Sequence, residues 1–190
     1  MVTTQDPVIA QRLRSFRNHG LTLDSHERER MGSWRYEMTE LGYNYRLTDL
    51  QCALGLSQLK RLSAWIQRRR EIADCYRTAF QGIKTLEPLK VRPGIGHAYH
   101  LFVIQLDLQA LQRTRDEVFT ALRNEGIGVN VHYLPVHLHP FYQRRFGTGP
   151  GLCPVAEAAS ERILSLPIFP RMTDEEVQRV IEAVKRVLDS

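Results

Sequence analysis

Cysteine is scarce in this 190-residue chain: Cys52, Cys75 and Cys153 are the only three, odd in number and far apart. Such a set builds neither a disulfide framework nor a zinc site, and the three are expected to be reduced structural thiols. Long apolar runs are missing as well. No stretch approaches the ~20 apolar residues of a membrane span, and the N-terminus carries no basic-then-apolar secretory pattern, so the expected location is the cytoplasm. Lysine is nearly absent, with Lys60, Lys84, Lys90 and Lys185 the only four. Each is expected to be a solvated surface cation, because lysine is almost never buried unpaired. Internal repeats and low-complexity segments are also lacking. What remains, 43% hydrophobic and 25% charged residues, suffices for the core of one globular domain or slightly more.

The charge is one-sided. A net charge of +5 and a pI near 9.3 suit an anionic partner, which is nucleic acid or a nucleotide diphosphate. The densest basic run, Arg68-Arg69-Arg70, falls within a helical pattern, where consecutive residues fan around the axis. It is expected to be a solvated helix surface. Nucleic-acid binding calls for stacking aromatics or a groove-reading helix beside the charge, and neither is found, so neither nucleic acid nor a membrane is an expected partner.

The chain is organised around the stretch from Gly42 to Leu59. Thr48 and Gln51 form a capping box, in which hydroxyl and side-chain amide each satisfy an orphan N–H of a helix start. Beyond it Leu50, Ala53, Leu54, Leu59, Leu62 and Ile66 recur at helical steps, and no Gly or Pro after Gly55 interrupts the pattern before Gly82. A single helix over 46–82 would span roughly 50 Å at about 1.5 Å per residue, longer than a small domain is wide, and so would brace two bodies.

Around that helix the elements follow from local signals. Met1-Val2-Thr3-Thr4 is β-prone but has no obvious partner, and Asp6 before Pro7 opens a helix that Gly20 closes. Leu21 to Leu41 is polar and without a clean period, so a functional loop is expected there, with Trp34, Tyr36 and Met38 as weak strand evidence. Alternation predicts a strand over His97 to Asp107, the Thr114/Glu117 box a helix to Gly126, and Ile127 to Tyr133 a further strand. Tyr133 to Phe146 is irregular, pinned by Pro135 and Pro140. Pro154 opens a short helix ending near Ile163, and Leu164 to Phe169 is an edge strand because Pro167 interrupts it. A third box, Thr173/Glu176, starts a closing helix with Val177, Val180, Ile181, Val184 and Leu188 as its apolar stripe. Helix and strand alternating in one small sheet predict an α/β class, with an α+β small domain over 83–190.

The run Gly42-Tyr43-Asn44-Tyr45-Arg46-Leu47-Thr48-Asp49, followed by Gln51, Ala53, Leu54 and Gly55-Leu56-Ser57-Gln58-Leu59, resembles the signature of the DegT/DnrJ/EryC1/StrS aminotransferases. Arg17-Asn18-His19-Gly20, the run Gly126 to His137, and Leu164-Ser165-Leu166-Pro167 are similar to further motifs of that family, so the resemblance covers nearly the whole chain. It is strongest to the transaminases that make UDP-4-amino-4,6-dideoxy-N-acetyl-altrosamine. The resemblance implies a fold-type I, aspartate-aminotransferase-like enzyme. Its parts here would be the tail of a large domain plus a loop over 1–45, the linking, dimer-bracing helix over 46–82, and the small C-terminal domain over 83–190. The implied cofactor is pyridoxal 5′-phosphate. The implied reaction moves an amino group from glutamate to C4 of a UDP-4-keto-6-deoxy-N-acetylhexosamine in a homodimer. Another nucleotide-linked keto sugar, or a non-catalytic dimerisation or nucleotide-binding role, stands as the alternative.

The same resemblance assigns residues. Asn44 would donate its amide across the dimer to the cofactor phosphate of the other subunit. None of the four lysines sits in the family's cofactor-lysine motif, so that lysine is expected upstream of Met1 and the chain alone is expected to be inactive. Tyr133, His137 or Tyr142 would stack on uracil or bond the diphosphate, with ordinary loop packing as the competing account. From the residues alone, Arg46 is expected to grip a phosphate or, more readily, to pair with Asp49. His19 reads as a cation at a helix C-terminus. The His132 to His139 segment invites a metal, but Pro135 blocks a regular helix and no carboxylate or cysteine nearby completes a set, so none is expected.

Overall fold

The computed structural model describes residues 2–189, apart from the side chain of Ser25, and divides into two compact units, Met1–Lys60 and Arg61–Ser190. In the first unit, α1 (Pro7–Phe16) starts as its sequence requires. Asp6 accepts from the amides of Val8 and Ile9 at 2.8 and 3.3 Å, and Pro7 occupies the first turn, where its missing N–H costs nothing. Met1 lies outside the described residues, and Val2–Thr4 form no strand. After Phe16 the chain reverses through Gly20 and runs beside residues 37–45, joined by bridges at Asn18–Asn44 and Leu21–Met38. The segment from Leu21 to Leu41 is otherwise irregular but contains α2 (Ser25–Arg30), whose Asp24/Glu27 capping box compensates for its lack of an apolar period.

α3 (Asp49–Leu59) begins from the Thr48/Gln51 box, where the Thr48 amide donates to Gln51 Oε1 at 2.9 Å. The expected single helix over 46–82 is instead two, of 11 and 18 residues, because helical bonding lapses at Lys60–Arg61 before α4 (Leu62–Ala79). Both residues keep right-handed helical dihedrals, so no glycine or proline marks the break. Packing does distinguish the two pieces. α3 buries nothing, whereas α4 is anchored by Ile72, Ala73 and Tyr76.

The second unit holds a three-stranded antiparallel sheet, β1 (Leu86–Pro88), β2 (Phe102–Leu106) and β3 (Ile163–Leu166), in that order. Leu86 opposes Leu106, and Phe102 and Ile104 oppose Leu166 and Leu164. Phe102, Ile104 and Leu106 turn inward together, one face of an alternating strand. Four differences from the sequence reading stand out. The strand expected from His97 starts only at Phe102, because Tyr99 takes a left-handed φ of 46° that no strand accommodates. Ile127 to Tyr133 contributes a single bridge, Asn130 to Ser165. β3 ends at Leu166, before Pro167, and β1 was not anticipated.

Between and after the strands come α5 (Leu108–Leu111), α6 (Arg115–Asn124), a 3-10 turn (Val136–Leu138), α7 (Pro140–Phe146), α8 (Pro154–Ser160) and α9 (Asp174–Asp189). The Thr114/Glu117 and Thr173/Glu176 boxes are formed. The whole expected stripe of α9 is buried, joined by Ala183 and Val187, against a core that includes Val118, Leu122 and Leu164. α4 and α6 both pack on α9, and α6 meets β3.

The arginine run is not solvated. Arg68 donates to the Met172 carbonyl and Asp174, Arg70 to the His97 carbonyl, and Arg69 Nη1 faces the carbonyls of Tyr99, His100 and Ile168 at 2.8, 3.3 and 2.9 Å. Because the three side chains fan around α4, between them they reach two loops, 97–100 and 168–172, whose carbonyls have no strand partner, and Arg69 joins both. Tyr76 adds a bond to the Pro167 carbonyl at 2.8 Å, and burial pushes its phenol well above the ordinary range. The three cysteines are free but exposed, not packed structural thiols, while the four lysines lie on the surface as expected.

Candidate functional site

Asn44 stands in an extended segment that the Phe16–His19 turn holds from one side. Tyr43 and Tyr45 donate their amides to the Phe16 and Arg17 carbonyls at 2.7 and 2.9 Å, and His19 donates to the Tyr43 carbonyl at 3.0 Å. Such close approach explains two glycines. A Cβ on Gly20, itself at φ +70°, would stand 1.8 Å from the Glu40 carbonyl oxygen, and one on Gly42 would stand 2.2 Å from the Gly20 nitrogen. His19 is a left-handed turn residue, three past the end of α1, and not a helix-capping cation.

Alternation in the extended backbone puts Tyr43 and Tyr45 on one side, stacked at 4.9 Å with Phe16 edge-on at 5.1 Å, and Asn44 on the other. Asn44 Oδ1 accepts from Arg46 Nε at 2.9 Å, so Arg46 turns to Asn44 and not to Asp49. Since a guanidinium can only donate, the contact fixes the carboxamide with its oxygen toward Arg46. The Asn44 NH2 and the remaining Arg46 N–H groups then form an exposed donor set of one neutral amide and one cation. That chemistry suits the oxygens of a phosphate monoester.

The second group of expected residues lies in the second unit, between Asn130 and Phe146. Asn130 exchanges both backbone bonds with Ser165, and His132 Nδ1 lies 2.8 Å from the Ser165 hydroxyl. The His132–Tyr133 peptide is cis, and Tyr133 is 70% exposed with the His132 ring against its edge. Tyr142 stacks on Phe146 at 6.0 Å and touches Phe141 edge-on. Among the described residues, no hydrogen bond or ring contact joins Tyr133, His137 and Tyr142 to one another. His137 is tied to Glu157, its Nε2 lying 2.7 Å from Oε1.

Glu157, on the first turn of α8, is a residue the sequence reading missed. Its carboxylate accepts the Gly151 amide with both oxygens at 3.0 and 2.9 Å, and the Cys153 amide at 3.1 Å, besides the His137 ring. The Gly151 amide first, then His137 and the Cys153 amide, hold its carboxyl below the ordinary range. Thr148 donates to the His137 carbonyl and Gln143 to the Leu138 carbonyl, each at 2.8 Å. A glutamate in a first helical turn is ordinarily read as complementing the helix dipole, so its loop partners leave no local signal. No group of three His, Cys, Asp or Glu suited to a metal ion occurs among the described residues. Nor is any helix among them long and apolar enough to cross a membrane.

The profile described as the DegT/DnrJ/EryC1/StrS aminotransferase family matches residues 1–185. The spore coat polysaccharide biosynthesis protein SpsC of Bacillus subtilis is 44% identical over 190 residues, covering 99% of this chain and 49% of that protein. Helicobacter pylori PseC, an aminotransferase involved in the biosynthesis of pseudoaminic acid, has a similar structure, with a TM-score of 0.81 and 28% identity over 98% of this chain and 47% of its own. Spr1654 of Streptococcus pneumoniae, a putative sugar aminotransferase solved in its PLP form, gives 0.79 and 29%, over 98% of this chain and 45% of its own. The chain thus spans about half the length of the relatives it matches, and over that half it has their fold-type I architecture.

Proposed function

This chain belongs to the DegT/DnrJ/EryC1/StrS aminotransferase family, and on that premise we propose that it forms part of a pyridoxal-phosphate-dependent enzyme that aminates a nucleotide-linked keto sugar. The amino group comes from glutamate and goes to C4 of a UDP-4-keto-6-deoxy-N-acetylhexosamine, on a route to pseudaminic acid or another surface polysaccharide. Similarity to PseC and SpsC supports that substrate class. Three unpaired, exposed cysteines support a reducing compartment, the cytoplasm.

The observation that carries the reading is the Asn44–Arg46 pair. When bound, pyridoxal phosphate supplies the electron sink for amino transfer. Asn44 binds its phosphate with the neutral NH2 that the Arg46 contact turns outward, in the active site of the other subunit of a homodimer. α3 supports that dimer, because Leu50, Leu54, Leu56 and Leu59 are 84%, 63%, 62% and 49% exposed, an apolar surface that association would cover. Tyr133 and Tyr142 offer ring faces to the uracil, and His137 lies on the same segment. The domain plan is the one the family implies, with the tail of the large domain over 1–45 and the small domain over 83–190. In it the two helices at 49–59 and 62–79 replace one linker.

The test is a chimera in which this chain replaces the matching half of the SpsC relative. Turnover of glutamate with a UDP-4-keto sugar is expected there, and none in the 190-residue chain alone, whose four lysines lie outside the cofactor-lysine motif. Pairing a subunit mutated at Asn44 with one lacking the cofactor lysine should leave about half of wild-type activity, if two symmetric sites act independently. Loss of both sites would place Asn44 in its own subunit's site. A chimera that turns over no keto sugar, or a chain alone that does, would overturn the reading.

A further inference from the structure

The Glu157 clamp does more than close a loop. An ionised carboxylate only accepts, so the 2.7 Å contact requires His137 to donate through Nε2–H. Two backbone amides already hold that carboxylate in place, and its depressed titration keeps it ionised at neutral pH. With Nε2 committed in this way, a neutral His137 ring carries its lone pair on Nδ1. No buried side-chain nitrogen or oxygen among the described residues lacks a hydrogen-bond partner, and none is found for Nδ1, so Nδ1 reaches the surface of the unit. The His137 ring is otherwise enclosed, with its side chain 11% exposed. The bonds from Thr148 and Gln143 to the 137 and 138 carbonyls fix the backbone beneath it. The result is an acceptor held rigidly between Tyr133 and Tyr142 in sequence.

We propose that Glu157 is a positioning residue that locks His137 in the Nε2–H tautomer, so that Nδ1 accepts a hydrogen bond from an N–H or O–H group of the nucleotide sugar. This rests on the reading above, that the 133–146 segment faces the nucleotide sugar. It also narrows that reading. A lone pair repels the diphosphate, so His137 contacts the base or a hydroxyl and leaves the phosphates to other groups.

The test uses the full 190-residue chain with labelled histidine, read by long-range proton–nitrogen correlation and titrated with uridine diphosphate. Wild type is expected to show His137 as the Nε2–H tautomer. Glu157→Ala should release it into a tautomer mixture and weaken uridine diphosphate binding about tenfold, the effect of one ordinary hydrogen bond. Glu157→Gln, which keeps an acceptor for Nε2–H, should restore tautomer and affinity even if the loop at Gly151 is loosened, separating orientation from folding. A ligand methylated at the uracil imide distinguishes the donors: an equal tenfold loss assigns the bond to the base, and undiminished binding assigns it to a hydroxyl. An Nδ1–H tautomer in wild type, or Glu157→Ala with unchanged tautomer and affinity, overturns the proposal. If uridine diphosphate shifts no resonance of Tyr133, His137 or Tyr142, the nucleotide reading of the segment fails and takes the ligand half of the proposal with it. The tautomer still decides the role of Glu157.

Discussion

Replacing Arg69 with alanine removes one guanidinium nitrogen that faces three carbonyl oxygens in two separate loops. Nη1 carries two hydrogens, so the contacts at 2.8 Å to Tyr99 and 2.9 Å to Ile168 are the full bonds and the 3.3 Å contact to His100 shares one of them. Tyr99 and Ile168 are buried, while His100 is exposed and its carbonyl can turn to water. Leaving two buried acceptors unpaired costs about 1–2 kcal/mol each, taking the lower part of the usual range because Arg69 itself is half-buried, so the variant should lose about 2–4 kcal/mol. Urea unfolding followed by Trp65 fluorescence in a Trp34→Phe background reports on the second unit alone, since Trp34 and Trp65 lie one in each unit. Arg69→Lys should recover only part of the loss, because an ammonium on a flexible stem does not span both loops as the planar fork does. A loss below about 0.5 kcal/mol for Arg69→Ala, within the scatter of ordinary surface substitutions, would mean that water satisfies these carbonyls and that α4 is held by its apolar face alone.

Two further predictions concern the site segments. Glu157 has its folded titration depressed, so its contribution to stability is complete above the ordinary glutamate range and is lost as pH falls through the folded value. Wild type should therefore exceed Glu157→Gln in thermal stability at about pH 7, and the gap should close below about pH 4; a gap that widens on acidification refutes the clamp. Gly42→Ala forces a methyl against the Gly20 nitrogen and should open the Asn18–Asn44 bridge. Hydrogen exchange at the Tyr43 and Tyr45 amides should speed by at least about tenfold, corresponding to about 1.4 kcal/mol of local stability, and unchanged protection would contradict the geometry.

What the sequence revealed about this fold was whatever is encoded within a few residues. The boxes Thr48/Gln51, Thr114/Glu117 and Thr173/Glu176 each join residues three apart, and the stripe of α9 repeats at helical spacing, so both were legible. The lapse at Lys60–Arg61 was not, because both residues stay in helical dihedrals and no breaker stands there. β1 includes Pro88 and is only three residues long, and its identity as a strand comes from pairing with β2. The arginines of α4 looked solvated because the carbonyls they reach lie 27 to 104 residues away. The same divide runs through the site. Asn44 was visible through its motif, but its contact with Arg46 in place of an Arg46–Asp49 pair depends on how the Tyr43 to Arg46 backbone alternates. Glu157 was invisible because it acts on a ring 20 residues upstream.

Whether Asn44 binds the cofactor phosphate is decided by the pyridoxal phosphate affinity of the SpsC chimera with and without Asn44→Ala. Losing a hydrogen bond to a charged phosphate costs about 1.5–3 kcal/mol, or about ten- to hundredfold in dissociation constant. Fold and dimerisation should be unchanged, because Asn44 precedes the Thr48 box and takes no part in it. A weakening of that size, read from the cofactor's absorbance on titration, is the expected result. Equal affinity in the two proteins would contradict the claim.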